Sequence, residues 1–148
     1  MPVLQKSVQM VAGKLPKIIG PNTHALLDYA VAGSFLLMGA IFWRRNKRAA
    51  LSSLVCGGAA AANILLTDYP GGALKAISYK QHGSVDAGLA GATAALPGLM
   101  GFSDEPEARF FGFEAVAETA LVGLTDYDYY EDPPKSRRRR RSDPEESA

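Results

Sequence analysis

One pattern of residues occurs twice in this chain, 58 positions apart, and it restricts the fold more than any other feature of the sequence. The first copy opens His24-Ala25-Leu26-Leu27-Asp28 and closes Thr67-Asp68-Tyr69. The second opens His82-Gly83-Ser84-Val85-Asp86 and closes Thr125-Asp126-Tyr127. The same offset aligns Lys17 with Lys75, Ile19 with Ile77, Ala32 with Ala90, Gly33 with Gly91, Ala50 with Ala108 and Leu66 with Leu124. A series held in register over this length reads as a tandem duplication, so one structural unit is expected twice.

The unit is apolar. Residues 24–43 are interrupted only by His24, Asp28 and Ser34, and residues 49–66 contain no charge. Residues 83–102 carry only Asp86, and residues 110–124 only Glu114 and Glu118. Crossing a hydrocarbon layer takes roughly 20 apolar residues per helix. In lipid the backbone must satisfy its own hydrogen bonds, so each stretch is expected to be a helix. A soluble helix shows a polar face at 3.6-residue spacing; residues 49–66 show none. The expectation is an all-α, four-helix transmembrane bundle built from two tandem helical-hairpin repeats. Both ends of the chain are polar and the middle is not, and the near-neutral mean hydropathy of -0.02 averages over that contrast. The single cysteine, Cys56, permits no intrachain disulfide. Three lysines interrupt the first 20 residues and leave no uninterrupted apolar core, so no signal peptide is expected there.

Four segments follow. Residues 1–20 form an amphipathic interfacial segment, in which residues 3–19 place Leu4, Val8, Val11, Leu15 and Ile18 or Ile19 at helical spacing with Lys6, Lys14 and Lys17 between them. Residues 21–69 form repeat 1, with Asn22 or Thr23 expected to cap its first helix. Trp43 is placed for the membrane interface, and a basic turn follows over 44–48. The second helix is rich in small residues and is expected to be the most central. Residues 70–127 form repeat 2, with Pro97 in its first helix and an acidic loop over 103–107. Residues 128–148 form a charged tail, expected to be disordered, whose run Arg137–Arg141 could meet anionic lipid headgroups. Nearby acids almost cancel that run, and no nucleic-acid partner is expected.

The candidate site is a polar layer at one membrane face. Each first helix begins where its partner ends, so His24, Asp68, His82 and Asp126 lie at similar depth. The i, i+4 spacing puts Asp28 on the face of His24, and Asp86 on that of His82. Buried ionisable groups are costly in a membrane and face the bundle interior or a water-filled cavity. Four readings stand: a structural lock of histidine on aspartate, passage of protons or cations helped by Glu114 and Glu118, bis-histidine haem ligation, and a mixed histidine–aspartate metal site. No nucleotide loop, nucleophile triad or zinc-type spacing occurs, and neither an enzyme nor a cofactor is expected.

The residues resemble the SPW-repeat family of small bacterial integral membrane proteins. His24-Ala25-Leu26-Leu27-Asp28 with Gly33 following, and Leu66-Thr67-Asp68-Tyr69, carry the resemblance; His82-Gly83-Ser84-Val85-Asp86 has Val85 where the pattern has leucine. At the positions of the naming tripeptide stand Met38-Gly39-Ala40 and Leu96-Pro97-Gly98, of which only Pro97 fits. The resemblance covers residues 17–127 and implies a multi-pass location in a bacterial inner membrane without an established activity. The expected role is therefore structural or interactive, with the bilayer, a second copy or another membrane protein as partner. The lysines and arginines at the terminal end of the bundle outnumber those of the 44–48 turn, which points to cytoplasmic termini.

Overall fold

The computed structural model describes residues 13–130 and, ahead of them, Val3, Lys6, Ser7 and Met10. Four long helices organise the described residues: α1 (Pro21–Phe42), α2 (Lys47–Leu66), α3 (Tyr79–Leu99) and α4 (Ala108–Leu124). The chain is all-helical apart from two isolated β-bridges among the described residues.

The helix starts follow local chemistry. Gly20 is extended, and Pro21 takes the first helical position, where its ring presets φ and its missing N–H is no loss. Asn22 and Thr23 lie inside the first turn, and no side chain caps α1, which corrects the capping expected of them. The Asn46 side chain accepts from the Ala49 amide and starts α2 two residues earlier than the uncharged run suggested. Ser78 and Gln81 form a reciprocal capping box, so α3 begins ahead of His82, at Tyr79.

α1 packs along α2 and α3 along α4, while α2 also lies against α3 and α1 touches α4 more lightly. Contact of α2 with both neighbours agrees with its run of small residues. A Cβ on Gly57 would stand 2.9 Å from Leu36 Cγ and 3.1 Å from the Ala32 carbonyl oxygen, so the α1–α2 approach requires glycine there. His24 and His82, in the first turns of α1 and α3, lie side by side, so these two helices run parallel from the same end. At the opposite end Phe35, Phe42, Phe102 and Phe111 form an aromatic core. Outside it, Arg48 pairs with Glu105 at 2.6 Å and Arg45 with Glu107 at 3.8 Å, so the acidic loop meets the basic turn.

The two helix pairs close on each other through their connecting segments. Ile19, leading into α1, bridges Thr125 at the end of α4, and Ile77, leading into α3, bridges Thr67 at the end of α2. These contacts are counterparts 58 residues apart. The Lys17 ammonium donates to the Gly123 carbonyl at 2.7 Å. This bears on the expected interfacial helix over 1–20: Gly13 and Lys14 form a turn, and the chain is non-helical from Leu15 to Gly20. Pro16, which cannot donate to a helical ladder, suits the extended run. Residues 1, 2, 4, 5, 8, 9, 11 and 12 lie outside the described residues, as does the tail from 131 onward with Arg137–Arg141.

α1 and α2 are long and apolar enough to cross a membrane. α3 has 21 residues but opens on Tyr79-Lys80-Gln81-His82, and α4 has 17 residues, short of a full span. Large apolar side chains point outward from all four helices, including Leu26 at 71% exposed, Val55, Leu99 and Phe113 at 72%.

A candidate buried histidine–aspartate centre

The i, i+4 pairs of α1 and α3 face each other because the two helices are parallel and begin at the same level. Both histidines are fully buried, with 0% exposure. His24 Nε2 lies 3.1 Å from His82 Nε2. Asp28 Oδ2 lies 3.2 Å from His24 Nε2 and 3.0 Å from His82 Nε2. Asp86 Oδ2 lies 3.3 Å and 3.0 Å from the same two nitrogens. Each aspartate thus reaches the histidine of its own helix and that of the other pair. His24, Asp28, His82 and Asp86 offer four candidate metal-ligand atoms within 4.8 Å of one another.

The surrounding groups fix which ring nitrogen carries a hydrogen. Thr67 Oγ1 donates its one proton to the Asn63 carbonyl at 2.6 Å, and it lies 2.8 Å from His82 Nδ1. Thr125 Oγ1 donates likewise to the Leu121 carbonyl at 2.6 Å and lies 2.9 Å from His24 Nδ1. A hydroxyl with its proton committed to a carbonyl can only accept from the imidazole, so both Nδ1 atoms are donors. Both Nε2 atoms therefore turn to the centre, as lone pairs or as second N–H groups. Tyr69 donates to Asp28 Oδ2 at 3.0 Å and Tyr127 to Asp86 Oδ2 at 2.9 Å. Burial, then the negative charge of Asp28, pushes the Tyr69 phenol up, and burial with Asp86 does the same to Tyr127, so both remain protonated donors. Asn63 Nδ2 adds a bond to Asp86 Oδ1 at 2.8 Å.

The expected polar layer of two histidines and four aspartates is smaller in the structure. Asp68 is exposed and pairs with Lys75 at 3.4 Å. Asp126 stays at the rim, its backbone amide bonded to Ile19. Within each repeated Thr-Asp-Tyr tripeptide it is the threonine and the tyrosine that turn inward, and the chain leaving the helix carries the intervening aspartate outward. Thr67, Tyr69, Thr125 and Tyr127 are thus site residues that residue type alone did not single out, although their repetition was visible. The two acids of α4 lie deeper. Glu114 accepts from the Ser34 hydroxyl at 2.7 Å. Glu118 is buried, with its Oε2 unpartnered, and lines a cavity of about 20 Å³ together with Asp28, Asp86 and Ala60. That space suffices for one water.

A surface recess of about 500 Å³ is lined by Asp68, Tyr69, Lys75, Tyr79, Lys80 and Tyr127, among them the two tyrosines that donate to the carboxylates. The Tyr79 and Tyr127 rings stand 5.6 and 5.2 Å from the His24 ring. A haem between the histidines does not fit. Two axial bonds of about 2 Å each need a macrocycle between nitrogens about 4 Å apart. Here the nitrogens are 3.1 Å apart, with both carboxylates in the gap.

No family model, curated protein or solved structure matches this chain.

Proposed function

We propose that this chain is a four-span integral membrane protein of two tandem helical hairpins, related by a pseudo-two-fold axis along the membrane normal. Its role in this reading is structural or interactive, without an enzymatic step. The resemblance to SPW-repeat proteins belongs to the same reading. The outward apolar side chains of all four helices support the membrane setting, since soluble proteins rarely expose large contiguous apolar surface. Contacts that recur 58 residues apart support the symmetry: Tyr69 on Asp28 with Tyr127 on Asp86, and Thr67 on His82 with Thr125 on His24.

The observation that carries the structural role is the crossing of ligands between hairpins, His82 to Asp28 and His24 to Asp86. A buried polar group that loses its partner costs about 1–3 kcal/mol, so the four residues hold the hairpins in one register. A double-mutant cycle across the interface tests this. His82→Ala and Asp28→Ala, melted in detergent singly and together, should show a coupling of about 1–3 kcal/mol. Strict additivity would sink the reading.

A second reading, proton or cation passage, is favoured by the water-sized cavity joining Asp28 and Asp86 to the unpartnered Oε2 of Glu118. Buried acids in series can relay protons. In proteoliposomes, Glu118→Gln should abolish flux and leave helicity and melting unchanged. An unmutated protein that passes neither protons nor monovalent cations rules this reading out.

A further inference from the structure

We propose that the centre is a binding site for one divalent transition-metal ion of the zinc type, held by His24 Nε2, Asp28 Oδ2, His82 Nε2 and Asp86 Oδ2. The inference rests on the same four residues as the structural reading and assigns them a ligand.

Ligand spacing is the first argument. Metal–ligand bonds of about 2.0 Å place the atoms of a tetrahedral shell about 3.3 Å apart. The nitrogen–nitrogen distance is 3.1 Å and the four nitrogen–oxygen distances run from 3.0 to 3.3 Å. Five edges of a tetrahedron are thus already at ligand spacing, two ligands coming from each helix pair. Two imidazoles with two carboxylates form a borderline donor set suited to zinc, cobalt and their neighbours.

The second argument is independent of spacing. Metal-bound histidines keep one nitrogen free by donating the other N–H to an outer partner. Thr67 and Thr125 hold a hydrogen on Nδ1 of both rings, because each hydroxyl spends its own proton on a helix carbonyl, so Nε2 is the nitrogen that a neutral ring leaves free. The carboxylates have outer partners as well, in Tyr69, Tyr127 and Asn63. With both imidazoles neutral, four lone-pair atoms converge on one point and two buried carboxylates lack a counter-charge. A divalent cation balances both carboxylates at once. Without a metal the centre is held by protons instead, one on a single Nε2 shared with the other ring or one on each ring donating to the carboxylates. The surface recess reaches Tyr69 and Tyr127, the two residues whose hydroxyls bond the carboxylates.

The test uses the full chain in detergent micelles, stripped with chelator and titrated with Co²⁺ and then Zn²⁺. The expected result is one Co²⁺ per chain with the visible absorption of a tetrahedral site, displaced by Zn²⁺. Asp86→Asn, helical by circular dichroism, should weaken Co²⁺ binding more than about tenfold, while Asp68→Asn should bind as the unmutated protein does. Should Asp86→Asn fail to fold, melting decides: Zn²⁺ raises the melting temperature of the stripped chain if the site exists. Binding below about 0.1 Co²⁺ per chain, equal binding by a folded Asp86→Asn, or melting unchanged by Zn²⁺ would overturn the proposal. Coupling in the double-mutant cycle without metal binding would remove the metal and leave the structural lock. Metal binding without coupling would do the reverse.

Discussion

At the scale of single residues, the threonines of the repeated tripeptide matter more than the aspartates beside them. Thr67 and Thr125 are fully buried and bridge a helix carbonyl to a histidine, whereas Asp68 and Asp126 lie at the rim. Thr67→Val or Thr125→Val keeps the side-chain shape but strands an imidazole N–H. Each should lower stability by about 1–2 kcal/mol in detergent melting. Asp68→Asn and Asp126→Asn should each stay within about 0.5 kcal/mol of the unmutated protein. The inward pair His24 and Asp28, and its counterpart His82 and Asp86, were legible from i, i+4 spacing, because a helix puts those positions on one face. The direction of Thr67 and Tyr69 was not legible, because the chain is leaving a helix there and no periodicity governs it.

At the scale of elements, the α1–α2 contact depends on a backbone approach that only glycine permits. Gly57→Val would press into Leu36 and the Ala32 carbonyl, and overpacking of this kind costs about 1–3 kcal/mol. Gly58 has open space where a Cβ would stand, so Gly58→Ala should be neutral or stabilising by up to about 1 kcal/mol. Melting the two variants side by side checks the packing face of α2, since neighbouring glycines differ only in the direction they point. The uncharged run over 49–66 announced this helix. Its start at Lys47 was set by the Asn46 cap, and caps move a helix end without altering its apolar pattern. The Ser78–Gln81 box has the same effect on α3.

At the scale of the whole molecule, the parallel run of α1 and α3 fixes which loops share a side. The 44–48 turn and the 103–107 loop meet through Arg48 and Glu105, while Pro70, Ser78 and Asp126 lie at the other end with the histidines. If the bundle spans a membrane, Arg44→Cys and Ser103→Cys should react alike with an impermeant thiol reagent in sealed vesicles. Pro70→Cys should show the opposite sidedness, and the buried Cys56 contributes little background. Labelling of all three from one side would exclude the four-span arrangement. Positive charge near the helix ends leads us to propose cytoplasmic termini. A reporter fused at Ala148 that is active only outside the cell would reverse that assignment.

The sequence by itself determined the four helices, the pairing of each histidine with an aspartate one turn on, and the offset at which contacts recur, because the first two depend on local periodicity and the third on repetition along the chain. Tertiary structure alone decided that both pairs converge on one point. It also decided that threonine and tyrosine, rather than the intervening aspartate, complete the centre, and that Glu118 borders a cavity beneath it. Those outcomes depend on where four helices and their connecting turns come to rest against one another. A packing arrangement of that kind brings together side chains from positions 24 to 127, beyond the reach of any spacing rule along the chain.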